Sequence, residues 1–66
     1  MKLHVNGEER ELVSSANVAE MVAELGLPAP TVLVEHNGVA LRRDEWAGVA
    51  LAAGDRVELL RIAAGG

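Results

Sequence analysis

Cysteine is absent from the 66 residues, and with it go disulfide frames, thiolate zinc sites and any means for the chain to carry a persulfide on its own side chains. If sulfur is involved, another protein must bring it. Phenylalanine and tyrosine are absent too, which leaves Trp46 as the only aromatic residue. A hydrophobic half built mainly from Ala, Val and Leu suits a compact two-layer core, and Trp46 is expected to fill that core before it recognises any ligand. Basic residues are few and scattered, six Lys and Arg against ten Asp and Glu, for a net charge of −4. Nucleic-acid partners bound through phosphate neutralisation need clustered Lys and Arg, so none is expected. No apolar run approaches the ~20 residues that cross a bilayer, and the strand pattern begins with no charged-then-apolar leader. The expectation is a soluble, cytoplasmic protein without a membrane partner.

A chain of this length buries only about 60% of the surface its unfolded form exposes, so one well-packed domain spanning residues 1–66 is expected and a deep catalytic cleft is not. Lys2-Leu3-His4-Val5-Asn6 alternates as a half-buried strand should, with Leu3 and Val5 inward. Asn6-Gly7 supplies two residues that tolerate positive φ for a tight hairpin turn, and Arg10-Glu11-Leu12-Val13 is placed to return as the second strand. Ser14, Ser15 and Asn17 end that strand with capping side chains, and Glu20 three residues after Asn17 makes a capping-box-like arrangement. Val18, Met21, Val22 and Leu25 then form one apolar helical stripe. Gly26 is placed to cap that helix, and Pro28 and Pro30 prevent its resuming. Thr31 to His36 is apolar and β-branched enough for a third strand, Asn37-Gly38 repeats the turn chemistry, and Val39-Ala40-Leu41 closes a second hairpin. Arg42 to Trp46 reads as a turn or short helix. Ala53-Gly54-Asp55 turns the chain into a last strand, where Val57 and Leu59 should face the core and Leu60 and Ile62 the other way.

Two hairpins flanking a helix, followed by a strand that a right-handed crossover lays parallel beside the first, make an α+β, ubiquitin-like β-grasp. The sheet is mixed, with five strands or four, and one main helix packs on one face. Residues 63–66, Ala63-Ala64-Gly65-Gly66, follow as a flexible tail. Without a Cβ, Gly65 and Gly66 can thread a narrow channel and let backbone approach another protein's catalytic groups; as a chain end, they could equally be no more than a frayed terminus.

The β-grasp pattern, Arg43-Asp44-Glu45-Trp46, the Gly54-Asp55 turn and the ending Ala64-Gly65-Gly66 together resemble the ThiS family, the ubiquitin-like sulfur carriers of thiamine biosynthesis, across the whole chain. The resemblance implies that the protein is a co-substrate and not an enzyme. A ThiF-like E1 partner, using ATP and Mg, would adenylate the Gly66 carboxylate. A persulfide derived from a cysteine desulfurase would displace AMP, and reduction would leave a thiocarboxylate that a ThiG-like thiazole synthase consumes. The chain has neither a GxxxxGKS or GxxxxGKT phosphate loop nor a GxGxxG, so the ATP site is expected on the partner, with no cofactor held here.

On this reading Gly66 is the modified residue, Ala64 and Gly65 belong to its tail, and Leu60, Ile62 and Arg61 are candidate docking residues for the activating enzyme. Single exposed hydrophobes are also ordinary, and Arg56 and Arg61 could be a solvated face. His4 and His36 read as sheet-surface residues and not metal ligands. Glu8, Glu9 and Glu11 read as a soluble turn, and Ser14 and Ser15 lack a base, so no acid-base or nucleophile constellation is present. Three other functions fit the same pattern. They are a MoaD-like small subunit of molybdopterin synthase, a ubiquitin-like modifier of lysines, and a β-grasp interaction module with an inert tail.

Overall fold

Alternation puts Leu3 and Val5 on one face of strand β1 (Lys2–Val5), and both are buried. Asn6 and Gly7 take φ of 52° and 80°, the left-handed pair that a two-residue hairpin loop requires. That turn leaves no spare loop residue, so pairing resumes at once and β2 runs Glu8–Glu11 with Val5 opposite Glu8. The returning strand therefore lies earlier than the sequence pattern suggested. Leu12 is buried just beyond it, and Glu8, Glu9 and Glu11 belong to the strand and not to a turn. Glu11 accepts a hydrogen bond from the Met1 amino group, and Glu9 lies 3.7 Å from the Lys2 Nζ.

The helix α1 (Val18–Glu24) starts where Asn17 Oδ1 accepts the Glu20 N–H at 2.9 Å. The reciprocal carboxylate reaches one residue further back than a capping box does, accepting the Ala16 N–H at 2.7 Å. At the other end the Gly26 and Leu27 N–H groups close on Ala23 and Val22 carbonyls at 3.0 and 3.2 Å, a Schellman ending. Glu24 ties the helix to the preceding loop, its carboxylate accepting from the Val13 and Ser14 N–H groups and from Ser15 Oγ. The Ser15 and backbone hydrogen bonds hold its carboxyl below the usual value. After Pro28, residues Ala29–Thr31 make a single 3₁₀ turn, so β3 begins at Val32 (Val32–His36) and not at Thr31. The Asn37-Gly38 turn, with φ of 48° and 86°, leads into β4 (Val39–Leu41). A second 3₁₀ segment, Arg43–Gly48, buries Trp46 against α1, and β5 (Arg56–Arg61) follows.

The computed structural model describes residues 1–62, and within them the five strands form one mixed sheet in the order β2-β1-β5-β3-β4. β5 is central, parallel to β1 and antiparallel to β3, which is the β-grasp arrangement expected from the sequence. Leu3, Val18, Met21, Val22, Val34 and Val57 anchor the core between α1 and one sheet face. Most of these side chains are aliphatic, each stabilising by about 1.5–3 kcal/mol when fully buried. His36 shares that inner face of β3 and does not lie on the open sheet surface. Its Nε2 meets Asp55 Oδ2 at 2.8 Å, with both side chains largely buried. Among the described residues no helix is long and apolar enough to cross a membrane.

Candidate functional site

The two faces of β5 diverge as the strand nears Ile62. Register fixes which side chains share a face: Val57, Leu59 and Arg61 lie opposite His36, Val34 and Val32 on the helix side, while Glu58 and Leu60 lie opposite Glu35 and Leu33 on the outer side. Leu60 and Leu33 form a cross-strand apolar pair that nothing covers, 64% and 50% exposed. With Ala40 of β4, Glu35 and Glu58 they outline a shallow depression on the outer face. Ile62, 49% exposed, continues from the same strand, its N–H donating to the Thr31 carbonyl at 2.7 Å. The candidate docking residues thus divide. Leu60 meets Leu33 on the outer face, whereas Arg61 projects from the helix side, beside Leu25, Leu27 and Leu59. Arg56 and Arg61 likewise fall on opposite faces, since Arg56 pairs in register with His4.

The sequence pattern does not single out Leu33, because Val32-Leu33-Val34 is a continuous apolar run that does not announce its faces. Glu35 carries the signal: with a period of two, a solvated Glu35 sends Leu33 outward with it. Gly66, Gly65 and Ala64 lie outside the described residues.

Besides its ladders to β1 and β3 and the buried Val57, β5 is held by local polar contacts. At its start, Asp55 accepts from the Ala52 N–H at 2.9 Å, from Asn37 Nδ2 at 3.1 Å and from His36, while the Arg56 N–H donates to Asn37 Oδ1 at 2.8 Å. Burial pushes the Asp55 carboxyl up, but these hydrogen bonds and the His36 charge outweigh it and hold the group below its ordinary value. Nearer its end, the Asn6 amide pairs with Leu59 like an extra strand residue, Oδ1 accepting the Leu59 N–H at 2.7 Å and Nδ2 donating to the Leu59 carbonyl at 3.1 Å. These contacts fix the backbone of β5 from its start as far as Leu59. Among the described residues no group of three or more His, Cys, Asp or Glu side chains gathers to hold a metal ion. The arrangement suits presentation: a rigid strand end with an uncovered apolar pair beside it.

Comparison with known proteins bears on what is presented. A profile of the ThiS family matches residues 3–66. The crystal structure of a thiamine biosynthesis protein (ThiS) from Geobacter metallireducens superposes with a TM-score of 0.84 at 35% identity, covering 100% of both chains. An NMR solution structure of a thiamine biosynthesis protein from the same organism gives 0.82 at 35% identity, covering 100% of this chain and 88% of that one. A thiazole synthase from Paramagnetospirillum magneticum is 38% identical over 66 residues, which is 100% of this chain but 20% of the relative. The chain therefore spans about a fifth of that relative's length.

Proposed function

The chain belongs to the ThiS family, and from that membership we propose that it is the sulfur carrier for thiazole formation in thiamine biosynthesis, a cytoplasmic co-substrate that is consumed and regenerated. The observation that carries this reading is the counterpart of the whole chain, at 38% identity, within a thiazole synthase. A carrier and its acceptor joined in one polypeptide is what a repeated delivery between the two would favour, because tethering raises their effective concentration.

The chemistry proceeds on Gly66. A carboxylate resists nucleophiles, since resonance and its negative charge both oppose attack, so its oxygen first attacks the α-phosphorus of ATP on a ThiF-like E1 partner and pyrophosphate leaves. The acyl adenylate is then attacked at its carbonyl carbon by a persulfide sulfur from a cysteine desulfurase, expelling AMP. Two-electron reduction of the resulting acyl disulfide by a dithiol then leaves the thiocarboxylate and returns the donor cysteine as a thiol, and a ThiG-like thiazole synthase accepts the thiocarboxylate sulfur. Gly65 and Ala64 supply the narrow stem that lets Gly66 enter those active sites. The outer face of β5, with Leu60, Leu33 and Ile62 uncovered, is the surface on which the activating enzyme docks, and Leu60 is its central contact.

Intact mass spectrometry tests this directly. After incubation with ATP, Mg, the ThiF-like enzyme, a cysteine desulfurase and a reductant, the protein should gain the mass of oxygen replaced by sulfur, localised to the last residue. Deleting Gly66 should abolish the gain. An unchanged mass, while the same enzymes convert a second ThiS-family carrier, would refute the proposal.

A further inference from the structure

Arg10 and Arg61 come from strands far apart in the chain, yet both border one cleft on the helix side of the sheet. Its floor is Val5, Leu25, Leu27 and Leu59, the last three only partly buried. Three features set it apart. Among the described residues neither guanidinium lies within salt-bridge distance of a carboxylate, although Lys2 is paired with Glu9 and Arg42 with Asp44 and Glu45. Arg43 and Arg56 are also outside any salt bridge among the described residues, but neither of them borders this cleft. The wall is also preorganised, because the side-chain amide of Asn6, itself at the rim, bonds both the N–H and the carbonyl of Leu59. Finally, Arg61 stands immediately before Ile62, so the cleft opens beside the place where the chain continues toward Gly66.

We infer that this cleft docks an extended partner segment in which an apolar side chain is flanked by carboxylates, the apolar group seating on Leu25, Leu27 and Leu59 and the carboxylates meeting Arg10 and Arg61. Guanidinium groups recognise carboxylates in bidentate geometry, and an apolar floor between them selects the side chain that separates the two acids. The volume, about 220 Å³, falls below the ~300–1,000 Å³ typical of small-molecule pockets and suits one side chain of a longer segment. A nucleic-acid backbone has no apolar group to seat on this floor, so the two guanidinium groups around it leave an acidic protein segment as the complementary partner. This inference extends the carrier reading: a partner engaging the outer Leu33–Leu60 face and this cleft together would hold the strand end from both faces of the sheet, and electrostatic attraction to the arginines would speed the encounter.

The test uses the full chain, ¹⁵N-labelled, titrated with the capped peptide acetyl-Asp-Glu-Leu-Glu-Leu-Asp-amide and, separately, with its lysine-substituted counterpart. Saturable amide shifts confined to Asn6, Arg10, Leu25, Leu27, Leu59 and Arg61, seen only with the acidic peptide and weakened by salt, are the expected result. The R10E/R61E double variant, its fold checked by its own amide spectrum, should bind the peptide about tenfold or more weakly. Shifts centred on Leu33 and Leu60, equal binding of the two peptides, or unaltered binding by R10E/R61E would each overturn the inference. So would concentration-dependent shifts at the cleft without peptide, which would make a second copy the occupant, or peptide binding that appears only after residues 63–66 are removed, which would make this chain's own end the occupant. The peptide titration does not involve sulfur transfer. A wild-type chain that gains no sulfur therefore counts against the carrier proposal alone, and an unresponsive cleft counts against this inference alone.

Discussion

Replacing Leu60 with Ala separates docking from folding, because the side chain is central to the proposed docking surface and, being 64% exposed, contributes little to the fold. Within the fold Leu60 packs chiefly against Leu33 across the outer face, and such a cross-strand pair contributes about 0.2–1 kcal/mol. A loss of up to ~1 kcal/mol of stability is therefore expected, a shift of roughly 4–8 °C in the melting temperature of so small a protein. On docking, by contrast, the exposed 64% of the side chain is withdrawn from water. Full burial of a leucine stabilises by about 1.5–3 kcal/mol, so the part still available is about 1–2 kcal/mol. Leu60→Ala should then weaken binding to the ThiF-like enzyme about 5- to 30-fold. Isothermal titration calorimetry without ATP measures that affinity, and thermal unfolding followed by far-UV circular dichroism measures the stability. Val13→Ala provides the control. Val13 is 89% exposed but follows β2 at the end of the sheet away from Ile62, so its affinity should not change. Undiminished affinity in a folded Leu60→Ala protein would refute the docking argument. A stability loss well beyond ~2 kcal/mol would show instead that Leu60 acts as a core residue.

Removing the helix cap with Asn17→Ala takes away the acceptor of the Glu20 N–H and should cost about 1 kcal/mol in urea denaturation; a loss of only a few tenths would mean that Glu20 alone organises the turn. Asp55 has a depressed folded-state pKa, so the unfolded chain takes up its proton first as pH falls. Its contribution is present in full above the ordinary Asp value of 3.8 and is lost as pH drops through and below it. Urea midpoints measured across that range should fall less steeply in Asp55→Asn than in the wild type, and parallel slopes would contradict the His36–Asp55 linkage. Trp46 is buried with its Nε1–H unpartnered among the described residues. Trp46→Phe removes an unsatisfied donor worth about 1–3 kcal/mol while giving up part of the ring, so its net effect should stay within ~1.5 kcal/mol, against roughly 3–5 kcal/mol for Trp46→Ala. Equal losses in the two variants would show that the indole N–H is satisfied after all.

The elements that could be read from the sequence are those whose causes lie within a few residues. Asn6-Gly7 and Asn37-Gly38 fold as turns because those residues accept the left-handed φ the geometry imposes. The stripe Val18, Met21, Val22 is buried because 3.6-residue periodicity puts it on one side of α1, and Asn17 and Gly26 mark its ends by hydrogen bonds to near neighbours. Where pattern and structure differ, at the start of β2 and of β3, the competing signals are equally local: a turn with no spare residue, and a proline-containing 3₁₀ turn.

From the residues alone one obtains the β-grasp, most of its core and the resemblance that points to Gly66, since propensity, periodicity and turn chemistry act over short distances and each leaves its mark in the order of the amino acids. Tertiary structure alone decided that Leu60 meets Leu33 while Arg61 turns to the other face and joins Arg10, and that His36 finds Asp55. Those pairings depend on strand register and on which strand lies beside which. They are set by the packing of α1 against the whole sheet, a condition that no short stretch of sequence contains.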